Sequence, residues 1–246
     1  MLNNYPKQRS PLPDTYQKIY HQHYKENRDG DSSASSLASK LERWMHRQVA
    51  GDADQMNPTT ETLEIGAGTL NQLEHEVNIG NYDIVEPYTE LYEQSSLTNR
   101  LRNTYADISQ LPGSQHYDRI TSIAAFEHIC NLPEVIATCG LHLKARGHLR
   151  IAIPSEGTLL WTLGWKLTTG IEFRLRHGLD YGLLMSHEHV NTAREIDDLL
   201  HYFFCDVKIK SFGVCRSLSF YQFFVCADPN LSRCEDYLAS IKSDIS

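Results

Sequence analysis

No apolar run in this sequence approaches the ~18 residues that a membrane-crossing helix requires. There is also no surplus of positive charge. The chain has 23 Lys and Arg against 31 Asp and Glu, a formal net charge of −8. That balance argues against a broad basic face for nucleic acid, though it leaves room for a local patch. The six cysteines, Cys130, Cys139, Cys205, Cys215, Cys226 and Cys234, contain no Cys-x-x-Cys pair. A zinc knuckle or redox motif therefore finds no support. The opening Met1-Leu-Asn-Asn-Tyr-Pro-Lys has no apolar stretch, which predicts no secretory signal, reduced thiols and a cytoplasmic location. No internal repeat is present, and the only low-complexity tract is a serine cluster near 32–36. What remains is globular in composition: 246 residues, 41% hydrophobic and 22% charged. That is enough chain for one large domain, or one domain with extensions.

Three zones follow from the patterning. Residues 1–56 predict an N-terminal arm and a helix. The arm is polar and aromatic, with a short helix expected around Tyr16–Tyr24. Leu37, Leu41, Trp44, Met45 and Val49 then recur at three- to four-residue spacing, which predicts an amphipathic helix ending at Gly51 and covering one flank of a sheet. Residues 57–246 predict the main domain. Its first apolar runs are Thr62–Ile65, Tyr82–Val85, Thr104–Ala106, Arg119–Ala125 and Leu149–Ile153. Helical stretches are expected between them near Leu70–Val77, Tyr88–Ser95 and Leu132–Leu143. Such alternation predicts an α/β fold, a parallel sheet with helices on both faces. An insertion at about 155–190 interrupts it. An amphipathic helix over Thr192–Phe203 follows, then strand-like runs at Asp206–Phe212 and Ser217–Cys226 joined by Gly213-Val-Cys-Arg. Two strands so close together predict a hairpin, hence one antiparallel strand at the sheet edge.

The chemistry gathers in Thr62-Leu-Glu-Ile-Gly-Ala-Gly-Thr-Leu-Asn71. Glycines at 66 and 68 let the backbone turn tightly and approach a ligand closely, and a following helix would offer unpaired N–H groups. A dinucleotide fingerprint would place a third glycine where this chain has Asn71. Glu64 precedes the first glycine by two residues, and it offers nothing to a pyrophosphate but suits an amino group. Glu86 ends the next strand run, near the distance expected of a ribose-binding carboxylate. Asp107 follows the third run, where it can accept a hydrogen bond from an adenine amine. Together these describe a nucleoside amino acid without phosphates. Each residue also has a plainer role: the glycines in a sharp turn, Glu86 as an exposed strand-end acid, Asp107 as a turn cap.

This series resembles the class I S-adenosylmethionine-dependent methyltransferases, in particular the broad type 11 small-molecule group. The resemblance spans Thr62 to Pro154 and the helix and strands of 192–226. It implies a Rossmann-like seven-stranded sheet with an antiparallel last strand, plus an N-terminal helical extension and a lid insertion. It implies S-adenosyl-L-methionine as cofactor, held by Glu64, Gly66 and Gly68 at the methionine end, by Glu86 at the ribose and by Asp107 at the adenine. Ala67, Thr69, Pro87, Ile108, Ile123 and Ala124 complete the expected cofactor-binding set. The segment Asp118 to His128 also matches the family's fourth strand and its Phe-Glu-His turn. Some relatives bind a divalent ion through Glu-x-x-Glu-His. Here Ala124 replaces the first ligand, so no metal is expected, although Glu127, His128, His187 and His189 have the chemistry to converge.

Methyl transfer needs alignment first and, for a hydroxyl acceptor, a base. His128, His187 and His189 are the candidates. The insertion mixes Trp161, Trp165 and leucines with Lys166, Arg174 and Arg176. It reads as a lid on the core, as a pocket for a ring or sugar carrying a phosphate or carboxylate, or as a patch touching lipid. The expected activity is methylation of a small or carrier-linked molecule, most simply at oxygen. A non-catalytic cofactor-binding module and a nicotinamide-dependent oxidoreductase are the alternatives; Glu64 and Asn71 speak against the latter.

Overall fold

A computed structural model describes residues 1–17, 19, 36–77 and 79–243, of 36–41 the backbone alone. The helix expected around Tyr16–Tyr24 therefore lies largely outside the described residues. So do the side chains of Leu37 and Leu41 and most of the serine cluster.

Seven strands form one sheet: β1 (Glu61–Ile65), β2 (Asn81–Val85), β3 (Asn103–Tyr105), β4 (Tyr117–Ile123), β5 (Leu143–Pro154), β6 (Phe204–Cys215) and β7 (Leu218–Pro229). Their order is β3-β2-β1-β4-β5-β7-β6. The first five pair in parallel, and β7 runs antiparallel between β5 and β6. The strand order reverses between β1 and β4, and ligands of open α/β sheets bind at that switch, outside the carboxyl ends of the strands.

The two faces follow from the period-two alternation of side chains. Leu63, Ile65, Ile120, Leu149, Ile151 and Phe224 point to the larger core. There they meet α2 (Leu132–His142) and α6 (Ala193–Phe203), behind which packs α7 (Leu231–Ser243). The opposite face receives α1 (Ser36–Val49), whose Met45 and Val49 bury against Ile123, Ala152 and Phe223. The same alternation delivers Glu64, Tyr82 and Arg119 to the α1 side. Arg119 is 1% exposed, and its guanidinium donates to Asp52, to Glu76 and to the Val49 carbonyl.

Four sequence expectations fail here. Among the described residues, no α-helix follows β1 or β2. Residues 70–77 hold only a 3-10 turn, Asn71–Glu74, and 88–100 only the turns Thr89–Leu91 and Ser96–Arg100. After β1 the physical reason is one local feature and one long-range contact. Leu70 enters the turn in the left-handed region, at φ 67°. Arg100 then donates to the carbonyls of Leu73 and Glu76 at 2.7 and 2.9 Å, the acceptors a continuing helix would use. The hairpin join is also shorter than expected. β6 continues to Cys215 through a register shift at Gly213, where a Cβ would stand 2.3 Å from the Leu218 carbonyl oxygen. Gly51 does not stop α1 outright either; the chain runs on as a 3-10 segment, Ala50–Gln55.

The insertion is three short helices, α3 (Leu159–Leu167), α4 (Thr169–His177) and α5 (Tyr181–Glu188). Thr158 and Asp180 cap the first and third through their side chains.

Candidate active site

The carboxyl ends of β1, β2, β3 and β4 surround a cleft of about 640 Å³. Gly66 and Gly68 form its floor at φ 72° and 51°, a region that costs other residues about 1–2 kcal/mol. A Cβ on Gly66 would come within 2.5 Å of the Ala125 Cβ, whereas one on Gly68 would meet nothing within 4 Å. Two of the loop's N–H groups are already committed: Gly66 donates to the Val85 carbonyl and Gly68 to Glu86 Oε2, both at 2.8 Å. With no α-helix behind it and a carboxylate on its second amide, this loop is no anion cradle. The expected helix N-terminus is corrected, because the residues behind the loop form the 3-10 turn Asn71–Glu74, and both glycine amides are taken.

Three carboxylates reach the cleft, one from each successive strand. Glu64 is 2% exposed and accepts from the Tyr82 hydroxyl at 2.8 Å. Burial pushes its carboxyl up to about 8, the Tyr82 hydrogen bond opposing the shift. It is a buried acid in want of a positive partner. Glu86 is fixed by the Gly68 and Tyr88 amides. Asp107 accepts from the Ser109 amide and hydroxyl, so it caps a turn while standing at the cleft wall. Ala67, Thr69, Pro87, Ile108, Ile123 and Ala124 line the same space. All eleven residues expected at the cofactor are thus brought together.

The histidines divide. His128 and His187 line the cleft and His189 does not. His128 Nδ1 donates to the Glu188 carbonyl at 3.0 Å and lies 3.3 Å from Glu188 Oε2. Burial pulls its pKa down, but the Glu188 hydrogen bond and the Glu127 and Glu188 charges reverse this and raise it above the ordinary value. His187 Nδ1 donates to the Ser10 carbonyl. His189 lies edge-on to His128 with ring centroids 4.8 Å apart, and its Nδ1 is 2.7 Å from Glu156, which also accepts from the Trp161 indole. Glu127, His128 and His189 each place one potential ligand atom within 4.8 Å of the others. His187 is not in that group, and Ala124 offers no fourth ligand. Glu127 is buried and its Oε2 has no partner among the described residues; burial raises its pKa.

Several site residues escaped sequence reasoning. Residues 1–13 strap this end of the molecule. The Arg9 guanidinium donates to the carbonyls of His128, His187 and Glu188. The Lys7 amide donates to Cys130, and the Tyr5 hydroxyl to Asn191. Fully buried Asn191 donates in turn to the carbonyls of Phe126 and Ile129, clamping the turn that carries His128. Glu42 and His46 of α1 also face the cleft. None of these belongs to a spaced motif. The one available signal was that polar Glu42 and His46 interrupt the apolar stripe of α1.

No family model matches the chain, and no curated protein matches it. Solved structures do. Plantazolicin methyltransferase BpumL, in complex with a pentazolic desmethylPZN analog and SAH, superposes with a TM-score of 0.61 at 13% identity over 87% of this chain and 93% of that one. The N-methyltransferase NodS from Bradyrhizobium japonicum gives 0.51 at 12% identity, over 80% and 99%. An O-methyltransferase family protein from Burkholderia thailandensis gives 0.53 at 14% identity; 86% of this chain is covered, and it spans 62% of that longer protein. The chain has the fold of class I S-adenosylmethionine-dependent methyltransferases.

Proposed function

We propose that this chain transfers a methyl group from S-adenosylmethionine to the oxygen of a small or carrier-linked acceptor. One observation carries the reading: Glu64, Glu86 and Asp107 converge on a loop whose two glycine amides are already satisfied. That set of acceptors suits an ammonium, a ribose and an adenine amine. It disfavours a diphosphate, which would meet the Glu86 carboxylate with no α-helix end to compensate. The buried, raised Glu64 carboxyl fits the same ligand, because an ammonium beside it supplies the missing countercharge.

When bound, the cofactor supplies a sulfonium-activated methyl, which passes in line to the acceptor and leaves S-adenosylhomocysteine. The protein aligns the partners and removes a proton. His128 Nε2 takes the hydroxyl proton, while Nδ1–H on Glu188 fixes the tautomer and stabilises the imidazolium. Arg9 and Asn191 hold the segments on which His128 and Glu188 sit. The exposed thiols Cys205 and Cys215 suit a reducing, cytoplasmic setting.

The test is incubation with S-adenosylmethionine and a metabolite extract, read by mass spectrometry. A product heavier by one CH₂ and stoichiometric S-adenosylhomocysteine support the reading. Tight cofactor binding without any product would instead make this a binding module, and binding of a nicotinamide dinucleotide in place of S-adenosylmethionine would overturn the assignment.

A further inference from the structure

The insertion carries an apolar surface that the core does not use. Among the described residues, nine of the thirteen exposed large hydrophobic side chains lie in 159–183 and 212–218. On α3 the outward row is Leu159, Leu163 and Leu167; on α4 it is Ile171 and Leu175, the latter 83% exposed. Each row steps by four residues, so each forms one helix face. The inner sides are accounted for. Gly164 packs against the Phe220 ring, Trp161 meets Tyr221 edge-on, and Phe173 is buried with Tyr16 and Leu184. The β6–β7 hairpin adds exposed Val214 and Leu218, and it is tied to the start of α3 by the Thr158 hydroxyl donating to the Ser219 carbonyl.

Charge selects the occupant. Helices α3 and α4 carry Lys166, Arg174 and Arg176 against one acid, Glu172, in a chain of net charge −8. A second copy would bring the same positive surplus against itself, and an acidic, apolar surface complements it. No helix among the described residues is long and apolar enough to cross a membrane, so contact would be made in the plane of the interface. We propose that the outer faces of α3 and α4 dock on an anionic lipid surface, and that the acceptor is an amphiphile drawn from it. The second half rests on the methyltransferase reading. Trp161, on the inner side of α3, shares Glu156 with His189, which lies against His128, so α3 is joined through these contacts to the histidine at the cleft wall.

The experiment uses the full chain with phosphatidylcholine vesicles, and with vesicles containing about 30% phosphatidylglycerol, in cosedimentation at low and high salt. Binding to the anionic vesicles only, weakened by salt, is expected. Leu163→Glu and Leu175→Glu should each cut it at least tenfold, and both sites are exposed enough to leave melting and cofactor affinity unchanged. Leu175→Trp should retain binding and add a blue-shifted emission on those vesicles. Absence of vesicle binding, binding indifferent to either glutamate, or a dimer in ultracentrifugation that Leu163→Glu dissolves without any lipid binding would each overturn the proposal. Cofactor titration of the same samples reports on the methyltransferase reading separately, because it involves no lipid.

Discussion

Cofactor binding should release protons, and the amount follows from Glu64. Burial pushes its carboxyl up to about 8, so in the empty protein it is mostly protonated at neutral pH. The cofactor's α-amino group is protonated there as well. Free, the two groups hold close to two protons; bound as one ammonium–carboxylate pair they hold one, so association releases close to one proton. Affinity scales with the product of the carboxylate and ammonium fractions. It should rise severalfold from pH 6 to pH 7, level off as the carboxyl becomes ionised, and fall only where the amine loses its charge. Isothermal titration with S-adenosylhomocysteine, in phosphate and in Tris, reads the proton count from the difference in apparent enthalpy. Glu64→Gln should abolish the release, flatten the rise and weaken binding about ten- to hundredfold, the range of a lost charge-assisted hydrogen bond. Equal enthalpies in both buffers, together with a flat pH profile in the wild type, would refute the assignment of the ammonium to Glu64.

Other outcomes are equally specific. His128→Ala should lower kcat far more than cofactor affinity. Because the pKa of His128 is raised and the base acts neutral, activity should climb through a pH above the ordinary histidine value, and Glu188→Gln should move that limb down; a limb that Glu188→Gln leaves in place would count against the pair. Gly66→Ala forces a Cβ within 2.5 Å of Ala125 in a left-handed conformation. It should cost at least about 1–2 kcal/mol in chemical denaturation and impair cofactor binding, whereas Gly68→Ala should show the conformational cost alone. Asp52→Ala leaves Arg119 buried without one of its carboxylates, and also removes the carboxylate beside Arg150 and His148. A loss of about 3–5 kcal/mol is expected, measured by urea unfolding at neutral pH. The pKa of Asp52 is lowered, with its His148 hydrogen bond and the arginine charges outweighing burial. Its contribution is therefore complete above the ordinary aspartate value and lost as pH falls through the depressed one, so wild type and variant should converge in acid.

The strands were legible because each is a short apolar run bounded by turn residues, and Glu64, Gly66, Gly68, Glu86 and Asp107 were legible because a strand-end ligand site needs those types at those places. The crossovers from β1 and β2 were not. Residues 70–77 have helical periodicity, but Arg100, far along the chain, takes their carbonyls, and no local pattern announces a tertiary hydrogen bond. Arg9, Asn191 and His46 stayed hidden for a related reason. Each acts through long-range contacts made by a single side chain, without a spacing for a motif to record. The histidines near 187–189 could be nominated but not sorted, because only the fold turns His189 toward Glu156 and His128 toward the cleft.

A crystal structure with S-adenosylhomocysteine tests the central claim most directly. The account predicts its amino group against Glu64, both ribose hydroxyls on Glu86 and the adenine amine beside Asp107. An unfilled cleft at saturating ligand, or the nucleoside bound elsewhere with these three carboxylates untouched, would contradict it.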